Sequence, residues 1–438
     1  MSNKLNRRNF VKTATVAATA AIFAPATVTA QSAPKRYALV GTGHRGTGMW
    51  GKDLVTNYSN ELKFVGLCDI NPKRVEAGKR LIGTDCPTFT NFDEMCEKAK
   101  PEILMVTTVD STHHEFIIKA LAKGIDVITE KPMTTEAKNA QLILDAEKRY
   151  NRKIAVAFNY RYSPKHQKMK EILDSGEIGK ITSVDFSWYL DVRHGADYFR
   201  RWHRLKSKGG SLWVHKATHH FDLVNWWINA DPVEVSALGS LNVYGKAGTI
   251  RGKNCRSCEH KTTCKFFWDI NKDQRLVKLY PECEDVDVYY RDGCVFREDC
   301  DIYDSMSAIV KYSNGVNMSY SLNAHEPFEG YRIAFNGTKG RMEVRDYERQ
   351  SWEKEHRTDV SVAVNWGERK QIEIPIVSGG HGGGDDRLRD LIFKKTSVPD
   401  ILKLPGSRAG AMSCLTGIAA RTSIEQSRPV KISELIRL

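Results

Sequence analysis

A glycine-rich turn near the start of the chain is the feature that most restricts its fold. The apolar run of residues 37–40 (YALV) is followed directly by Gly41-Thr42-Gly43-His44-Arg45-Gly46 and then by a helix-like segment. In such a unit the first glycine makes a tight turn, the second lets a diphosphate approach the backbone, and the third lets the helix pack against the strand. The diphosphate lies over unpaired N–H groups at the helix N-terminus. The turn therefore predicts a dinucleotide-binding α/β sheet.

The sequence pattern around this turn agrees with that prediction. Between residues 36 and 158, five short apolar runs alternate with helix-like segments, which is typical of βαβ units and a parallel sheet. After residue 160, alternating strand-like segments joined by turns such as Ser313-Asn314-Gly315 indicate a largely antiparallel open sheet. We therefore predict an α/β chain, with a doubly wound parallel Rossmann sheet at 33–158 and an α+β domain bearing a large, mostly antiparallel open sheet at 159–438.

Residues 1–30 have the pattern of an export signal. Arg7 and Arg8 precede a short Ala-rich apolar stretch, and Val28-Thr29-Ala30 is a small-residue cleavage site. The segment resembles a twin-arginine signal, so the chain is expected in the periplasm or otherwise exported. The alternative, a membrane anchor, is disfavoured because the stretch is too short to span a bilayer and is interrupted by Pro25. No stable membrane insertion is expected after signal removal.

The charge balance argues against a nucleic-acid partner. The chain has 66 Lys and Arg against 53 Asp and Glu, and four of the bases lie in the first thirty residues, which leaves a net charge of +9. This excess is spread along the chain rather than gathered in a basic run. It indicates at most a mild attraction for anionic cofactors or surfaces.

An acidic residue stands where a dinucleotide's ribose would lie. Asp69 ends the second apolar run, 23 residues after Gly46. A carboxylate there accepts hydrogen bonds from a ribose diol and repels a 2′-phosphate, which favours NAD over NADP. Arg74 is near enough to weaken this preference. The alternative is an unrelated α/β sheet in which Asp69 only caps the next helix.

Several further motifs resemble those of the Gfo/Idh/MocA oxidoreductases, named for glucose–fructose oxidoreductase and inositol dehydrogenase. The resemblance covers nearly all of residues 35–438, and besides the glycine turn it is carried by the segments 107–113 (TTVDSTH), 130–132 (EKP), 159–162 (NYRY) and 337–340 (GTKG). It implies an NAD(P)-dependent enzyme that transfers hydride to or from a sugar, sugar acid or cyclitol. The residues expected at the cofactor are Gly41, Gly43, His44, Arg45, Gly46, Asp69, Thr108, His113, Glu130, Lys131 and Asn159.

Lys131 is the first catalytic candidate. In the family that this chain resembles, the lysine of the Glu-Lys-Pro triplet lies beside the nicotinamide and the substrate. An ammonium there can donate a hydrogen bond to a sugar hydroxyl, and Pro132 stiffens the loop that presents it. The alternative is that Lys131 is a solvated loop residue.

Two histidines on a predicted helix around 212–228 are the other catalytic candidates. His215 and His219 are four residues apart and share a helix face, and Asp222 adds a third member. The resemblance assigns His219 to the histidine that takes the hydroxyl proton, a role that suits a neutral imidazole, while His215 replaces the usual aspartate. One alternative is a divalent-metal face formed by His215, His219 and Asp222. Another is a core histidine, which fits His220 best.

Polar and aromatic residues in and after the predicted strand at residues 181–192 suit a carbohydrate, because aromatic faces stack on sugar C–H surfaces and charged donors bind hydroxyls. A solvated loop is the alternative. The segment 381–386 (HGGGDD) also resembles a family segment near the active site. The predicted substrate residues are Tyr189, Arg193, Arg201, Trp202, His203 and Asp222.

A cysteine-rich insert occupies residues 250–304. Cys-x2-Cys spacing is typical of a structural zinc site, whereas export to an oxidising compartment favours disulfides. Both alternatives stay open, and either would stabilise an insert that lacks a periodic apolar core. Its cysteines are Cys255, Cys258, Cys264, Cys283, Cys294 and Cys300.

Three functions are compatible with these motifs. The first is the exported NAD-dependent oxidoreductase described above. The second is an NAD-dependent glycoside hydrolase that oxidises a sugar transiently with tightly bound NAD, as some relatives of the family do. The third is a non-catalytic sugar-binding protein, which the intact glycine turn and Lys131 argue against. By analogy with relatives that pair through an open sheet, a homo-oligomer is expected.

Overall fold

The computed structural model describes residues 33–352, 356–374, 377–394 and 404–437. The predicted export signal at residues 1–30 lies outside the described residues. Within the described ranges, the helices are all too short or too polar to cross a membrane.

The first sheet is a six-stranded parallel sheet with strand order β3-β2-β1-β4-β5-β6. The order reverses between β1 and β4, so a crevice opens at the carboxyl ends of these two strands, where open α/β sheets bind ligands. This confirms the predicted doubly wound sheet. Its strands are β1 Lys35–Val40, β2 Leu62–Cys68, β3 Thr88–Phe89, β4 Ile103–Val106, β5 Asp126–Thr129 and β6 Ile154–Val156.

The helices of this half of the chain lie on both faces of the sheet. The first two are joined by a π-helical turn at Gly48–Lys52, so they form one continuous rod after the glycine turn. They are α1 His44–Thr47, α2 Asp53–Asn57, α3 Pro72–Ile82, α4 Phe92–Ala99, α5 His113–Ala122 and α6 Ala137–Tyr150.

The second sheet has nine strands in the order β14-β13-β12-β11-β7-β10-β9-β8-β15. Strands β7 and β10 are parallel, and the other neighbours are antiparallel. This confirms the predicted second sheet. Its strands are β7 Ile181–Asp191, β8 Pro232–Ser240, β9 Ser305–Tyr312, β10 Asn317–Glu326, β11 Glu329–Gly337, β12 Gly340–Arg349, β13 Arg357–Val364, β14 Arg369–Ile372 and β15 Val430–Lys431.

One face of the second sheet is covered by helices and the other is open. Along β9 and β10 buried and exposed residues alternate, as expected for a half-buried sheet. The buried face packs on α11 and α15, and its core is continuous with that of the first sheet. The helices are α7 Pro164–Asp174, α8 Val192–Arg200, α9 Lys206–Gly209, α10 Leu212–His215, α11 Ala217–Trp227, α12 Gln274–Leu279, α13 Glu284–Asp287, α14 Gly384–Phe393, α15 Ser407–Gln426 and α16 Ile432–Leu435.

The cysteine-rich insert is folded mainly as turns with the short helices α12 and α13. All six of its cysteines are free, and no group of three or more His, Cys, Asp or Glu in the described ranges is spaced to hold a metal ion. Neither a zinc site nor a disulfide is therefore present in the described part of the insert. Apolar packing holds the insert instead, for example between Phe266, Phe296 and Tyr244, whose rings lie 5.4–5.6 Å apart.

Candidate functional site

The glycine turn lies at the carboxyl end of β1 against the end of β4. Gly41 has φ +92°, and a Cβ there would lie 2.7 Å from the Thr107 carbonyl group and the Thr108 nitrogen. A Cβ on Gly46 would lie 2.2 Å from the carbonyl oxygen of Gly41. Glycine is required at both positions because the backbone folds back on itself too tightly for a side chain.

Asp69 lies beside this turn, as predicted. Its Oδ2 accepts hydrogen bonds from the Thr42 N–H at 2.8 Å and the Thr42 hydroxyl at 3.1 Å, and its Oδ1 accepts from the Asn71 N–H at 3.0 Å. The cap of α3 is Asn71, whose Oδ1 accepts from the N–H groups of Lys73 and Arg74. The alternative in which Asp69 only caps the next helix is therefore wrong.

Arg45 and Glu130 tie the glycine turn to the loop that carries Lys131. Arg45 Nε donates to Glu130 Oε1 at 2.7 Å, and Trp50 Nε1 donates to the same oxygen at 2.7 Å. The Arg45 guanidinium also binds both oxygens of Asp385 at 3.1 and 3.2 Å. The Arg45 guanidinium lowers the pKa of Glu130 against the effect of burial, and contacts with His381 and then Arg45 lower that of Asp385. Arg45 and Glu130 thus hold the Lys131 loop against the glycine turn. Their contact with a cofactor stays a prediction.

Thr108 and His113 hold the neighbouring loop. The ring of His113 is buried and contacts the Pro132 carbonyl at 2.8 Å and the Thr108 carbonyl at 3.1 Å. Both ring nitrogens are thus engaged, contrary to the expectation that His113 binds the cofactor. Its role is to fix the Lys131 loop against the end of β4. The Thr108 hydroxyl accepts from the Thr112 hydroxyl at 2.9 Å.

Lys131 lies next to a buried Asp–His pair. Its Nζ donates to the His215 carbonyl at 3.2 Å, and His215 Nδ1 lies 2.5 Å from Asp110 Oδ2. Burial lowers the pKa of Lys131 to about 8, although Asp110 and Glu130 oppose the shift. Burial also raises the pKa of Asp110 and lowers that of His215. Both shifts favour the uncharged forms, so the Asp110 carboxyl group and the His215 ring share one proton in their hydrogen bond.

The predicted helix at 212–228 is broken at Lys216, between α10 and α11. His215 faces Asp110 and His203, whereas the ring of His219 stacks on Tyr160 at 4.4 Å between centroids. The two histidines therefore do not form one continuous helix face. The metal alternative for His215, His219 and Asp222 is wrong, because the described residues contain no such cluster.

His219 is buried, and its Nδ1 has no hydrogen-bond partner among the described residues. Burial first and then the charge of Lys131 lower its pKa well below the ordinary value, so the ring is neutral near pH 7. Lys216 Nζ lies 3.4 Å from the Tyr160 hydroxyl and 4.8 Å above the Trp188 ring. This group of rings and lysines forms a polar and aromatic floor beside Lys131.

Asp222 does not belong to the site. Its carboxylate makes a buried two-point ion pair with Arg161, at 2.6 and 2.7 Å, so the predicted substrate role is wrong. His220 is a core residue, as predicted: its Nδ1 contacts the Tyr320 hydroxyl at 2.7 Å and its ring stacks on Trp188.

Three of the other predicted substrate residues gather next to the Asp–His pair. Trp202 stacks on His203 at 3.6 Å, and His203 lies edge-on to His215 at 4.0 Å. Arg201 pairs with Asp197 at 2.9 Å and lies over the Tyr198 ring.

The remaining two predicted substrate residues lie elsewhere. Tyr189 packs on Phe328, on the sheet face opposite to its neighbour Trp188, because side chains alternate along β7. Arg193 is exposed and its backbone N–H binds the Asp191 cap of α8.

The segment 381–386 does reach the site, as the resemblance implied. His381 lies 5.1 Å from the Tyr160 ring, and Asp385 accepts from Asn159 Nδ2 at 2.5 Å. Asn159 Nδ2 also lies 2.9 Å from His381 Nδ1, while Asn159 Oδ1 is buried without a partner among the described residues.

Four site residues were missed by the sequence reasoning: Asp110, Tyr160, Lys216 and Tyr280. The signal for Asp110 and Tyr160 was present, because both belong to motifs used only as markers of the family. Tyr280 comes from the cysteine-rich insert, and its hydroxyl accepts from the His44 N–H at 2.9 Å. Because Tyr280 and His44 are far apart in the chain, no local sequence pattern predicts their contact.

The residues at the glycine turn fit a nicotinamide dinucleotide. Gly41 and Gly46 keep the turn on a tight backbone path that a side chain would block, and the first turn of α1 follows it directly. The unpartnered Oδ1 of Asn159 is a further polar atom available to a ligand.

Comparison with known proteins agrees with this geometry. The chain matches the Gfo/Idh/MocA descriptions "Oxidoreductase family, NAD-binding Rossmann fold" over residues 35–158 and "Oxidoreductase family, C-terminal alpha/beta domain" over residues 170–432. The chain therefore belongs to the Gfo/Idh/MocA oxidoreductase family, and it is an NAD(P)-dependent enzyme of that type. The non-catalytic alternative is thereby set aside.

Individual relatives differ in how much of the chain they match. A Bacillus subtilis (strain 168) protein named as an oxidoreductase, YteT, is 38% identical over 92% of this chain and 99% of its own. An inositol 2-dehydrogenase/D-chiro-inositol 3-dehydrogenase of Lactiplantibacillus plantarum is 26% identical over 42% of this chain and 51% of its own. The crystal structure of myo-inositol 2-dehydrogenase from Lactobacillus plantarum shares the fold with a TM-score of 0.61, at 18% identity over 91% of this chain and 99% of that one.

Proposed function

We propose that the chain is an exported NAD-dependent dehydrogenase of a sugar, sugar acid or cyclitol. The observation that carries the proposal is the placement of Lys131 between the glycine turn and the Asp110–His215 pair, with its Nζ 3.2 Å from the His215 carbonyl. Relatives named as inositol dehydrogenases support the substrate class. Export is supported only by the signal-like pattern of residues 1–30.

The glycine turn and Asn159 are the residues that would hold the cofactor. When bound, the nicotinamide supplies the chemistry of accepting or donating a hydride. The protein's own contribution is to bind and orient the substrate, to exclude water and to handle the hydroxyl proton. These tasks fall to residues at the carboxyl ends of the parallel strands and on α10 and α11.

Lys131 orients and polarises the substrate hydroxyl. With a pKa of about 8 it is mainly an ammonium at pH 7, so it donates a hydrogen bond to an oxygen that gains negative charge. The Asp110–His215 pair fixes the lysine from the other side through the His215 carbonyl. This pair takes the place of the single aspartate expected from the family resemblance.

His219 is the candidate base for the hydroxyl proton. Its ring is neutral near pH 7 and is held by stacking on Tyr160. A neutral imidazole can accept a proton from a hydroxyl held by Lys131.

The floor of the site suits a polyhydroxylated ring. Tyr160 and Trp202 offer aromatic faces, and Lys216 and Arg201 offer charged donors. Such a combination binds sugar C–H surfaces and hydroxyls, and the lysines also suit a sugar carboxylate.

A preference for NAD over NADP is part of the proposal. Asp69 lies at the end of β2, and Arg74, which could otherwise bind a 2′-phosphate, is paired with Asp287 of the insert at 2.6 Å. Arg74 Nε also donates to the Leu279 carbonyl at 2.9 Å. The guanidinium is therefore held by the insert, and Asp69 is a second carboxylate 3.7 Å from it.

Substitution of Lys131 tests the proposal. Lys131→Met should abolish turnover of every sugar and cyclitol that the unaltered chain oxidises. Its dissociation constant for NADH, measured by fluorescence, should stay within about twofold of that of the unaltered chain. The matched control is Lys180→Met, which alters an exposed lysine far from the turn. Unchanged turnover in Lys131→Met would contradict the catalytic role.

NAD-dependent glycoside hydrolysis is a second candidate, favoured by the His215–Asp110 pair where a dehydrogenase of the family is expected to have an aspartate. An aryl glycoside distinguishes the two candidates. Release of free sugar without net NADH supports hydrolysis, whereas NADH accumulation from a free sugar supports the dehydrogenase.

A further inference from the structure

The cysteine-rich insert at residues 250–304 packs on helix α3 of the nucleotide-binding half of the chain. Ile270, Leu276, Leu279 and Tyr280 of the insert form a buried cluster with Ala77 of α3. Because α3 follows directly after Asp69, this cluster places the insert beside the end of β2, where the adenosine half of a dinucleotide lies in a Rossmann fold.

Polar contacts anchor the insert to the first turn of α3. Asn71 Nδ2 donates to the Cys283 carbonyl at 2.9 Å, and Arg74 Nε donates to the Leu279 carbonyl at 2.9 Å. An ion pair of 2.6 Å joins Arg74 to Asp287. Four of the five residues in these contacts are buried, so the insert is docked through desolvated contacts and not through surface charges alone.

One side chain of the insert reaches the glycine turn itself. The Tyr280 hydroxyl accepts a hydrogen bond from the His44 N–H at 2.9 Å, and it lies 3.2 Å from an ideal Cβ built on Gly43. The Tyr280 ring is held in place by Tyr289, 5.7 Å away, and by the Arg74 guanidinium, 5.5 Å above it. In the described part of the chain, this hydroxyl donates its own proton to no acceptor.

We propose that the insert is the second wall of the dinucleotide site and that Tyr280 is a ligand of the cofactor's diphosphate. A tyrosine hydroxyl can accept from one group and donate to another, so Tyr280 can take the His44 N–H and give its proton to a phosphate oxygen. Such a bond to an anionic oxygen is stronger than one between neutral groups. The inference rests on the proposed function only in requiring that this chain binds an NAD-type nucleotide.

The consequence of a second wall is slow exchange of the cofactor. A dinucleotide bound between the glycine turn and the insert leaves only when contacts on both sides are released. The insert then slows the release of the bound nucleotide, which suits an enzyme that keeps one nucleotide through many turnovers.

Tyr280→Phe tests the inference in the full-length protein. We expect NADH, displaced by excess NAD and followed by fluorescence, to leave the variant about tenfold to hundredfold faster than the unaltered chain, as for loss of a hydrogen bond to a charged group. Tyr290→Phe is the matched control, because it removes a hydroxyl from a half-buried tyrosine of the same insert. Its release rate should be unchanged.

The melting temperature separates a ligand role from a structural one. For a ligand, Tyr280→Phe should melt close to the unaltered chain without nucleotide and lose part of the stabilisation that NADH confers. Equal losses with and without NADH, or a release rate equal to or slower than that of the unaltered chain, would overturn the inference. If the unaltered chain takes up no NADH, the proposed function fails together with the inference. If the unaltered chain binds NADH and Tyr280→Phe changes neither the release rate nor the stabilisation by NADH, the inference alone fails.

Discussion

Asp110 and His215 share a short hydrogen bond, 2.5 Å from Oδ2 to Nδ1, in the buried layer beneath Lys131. Asp110 follows β4 of the parallel sheet, whereas His215 ends α10 of the second half of the chain. The pair therefore joins the two halves at the point where the catalytic lysine lies.

Replacing the carboxyl group of Asp110 by an amide should impair catalysis more than binding. Asp110→Asn keeps the shape of the side chain but cannot share a proton with His215, so we expect kcat to fall about 100-fold, within the range of acid–base effects. NADH affinity should change less than about twofold. Steady-state kinetics and fluorescence titration measure the two quantities, with Asp93→Asn, which alters a half-exposed carboxylate, as control. A loss confined to KM would contradict this role.

The pH profile should report the lysine. Burial lowers the pKa of Lys131 to about 8, so its ammonium is present below that pH and is lost above it. If the ammonium is the working form, kcat/KM should fall as the pH rises through about 8. Lys131→Arg stays charged across this range, so its lower activity should show no such decline. If kcat/KM falls in the same way above pH 8 in both proteins, a group other than Lys131 causes the decline.

Cofactor selectivity should depend on Asp287. Asp287→Asn removes the nearer of the two carboxylates beside Arg74, the other being Asp69 at 3.7 Å, and makes the guanidinium more available to a 2′-phosphate. We expect the preference for NAD over NADP, as a ratio of kcat/KM values, to fall about tenfold, or about 1.4 kcal/mol. Asp285→Asn is a control of equal charge, since Asp285 pairs with the half-exposed Lys73. An equal effect of both variants would indicate a general change in potential.

Stability should depend on Asp385, which binds Arg45 and Asn159 across the site. Asp385→Asn should lower the free energy of unfolding by about 2 kcal/mol, because hydrogen bonds to a buried charge are lost. Urea denaturation measures the change, and Asp386→Asn on the same helix, with a 63% exposed side chain, should have a smaller effect. Equal losses would contradict a special role of the network.

The open sheet face should mediate self-association. Leu238 is 75% exposed and Ile309 is 63% exposed on neighbouring strands of this face. If the chain is a homo-oligomer through the sheet, the double variant Leu238→Lys and Ile309→Lys should lower its mass in light scattering toward that of one chain. Val288→Lys, on the insert, should leave the mass unchanged. A single-chain mass for the unaltered protein would contradict the proposal.

Both sheets could be predicted from the amino-acid sequence, because strand and helix periodicity are local, and so could the glycine turn, because only glycine tolerates that backbone path. The sequence also indicated Lys131, since the Glu-Lys-Pro triplet is a continuous motif. The contacts between polar side chains, in contrast, depend on how the folded chain packs. The break at Lys216 turned His215 toward Asp110, burial paired Asp222 with Arg161, and the docking of the insert brought Tyr280 to the glycine turn. Such contacts depend on packing between segments distant in the chain, and no local pattern records them.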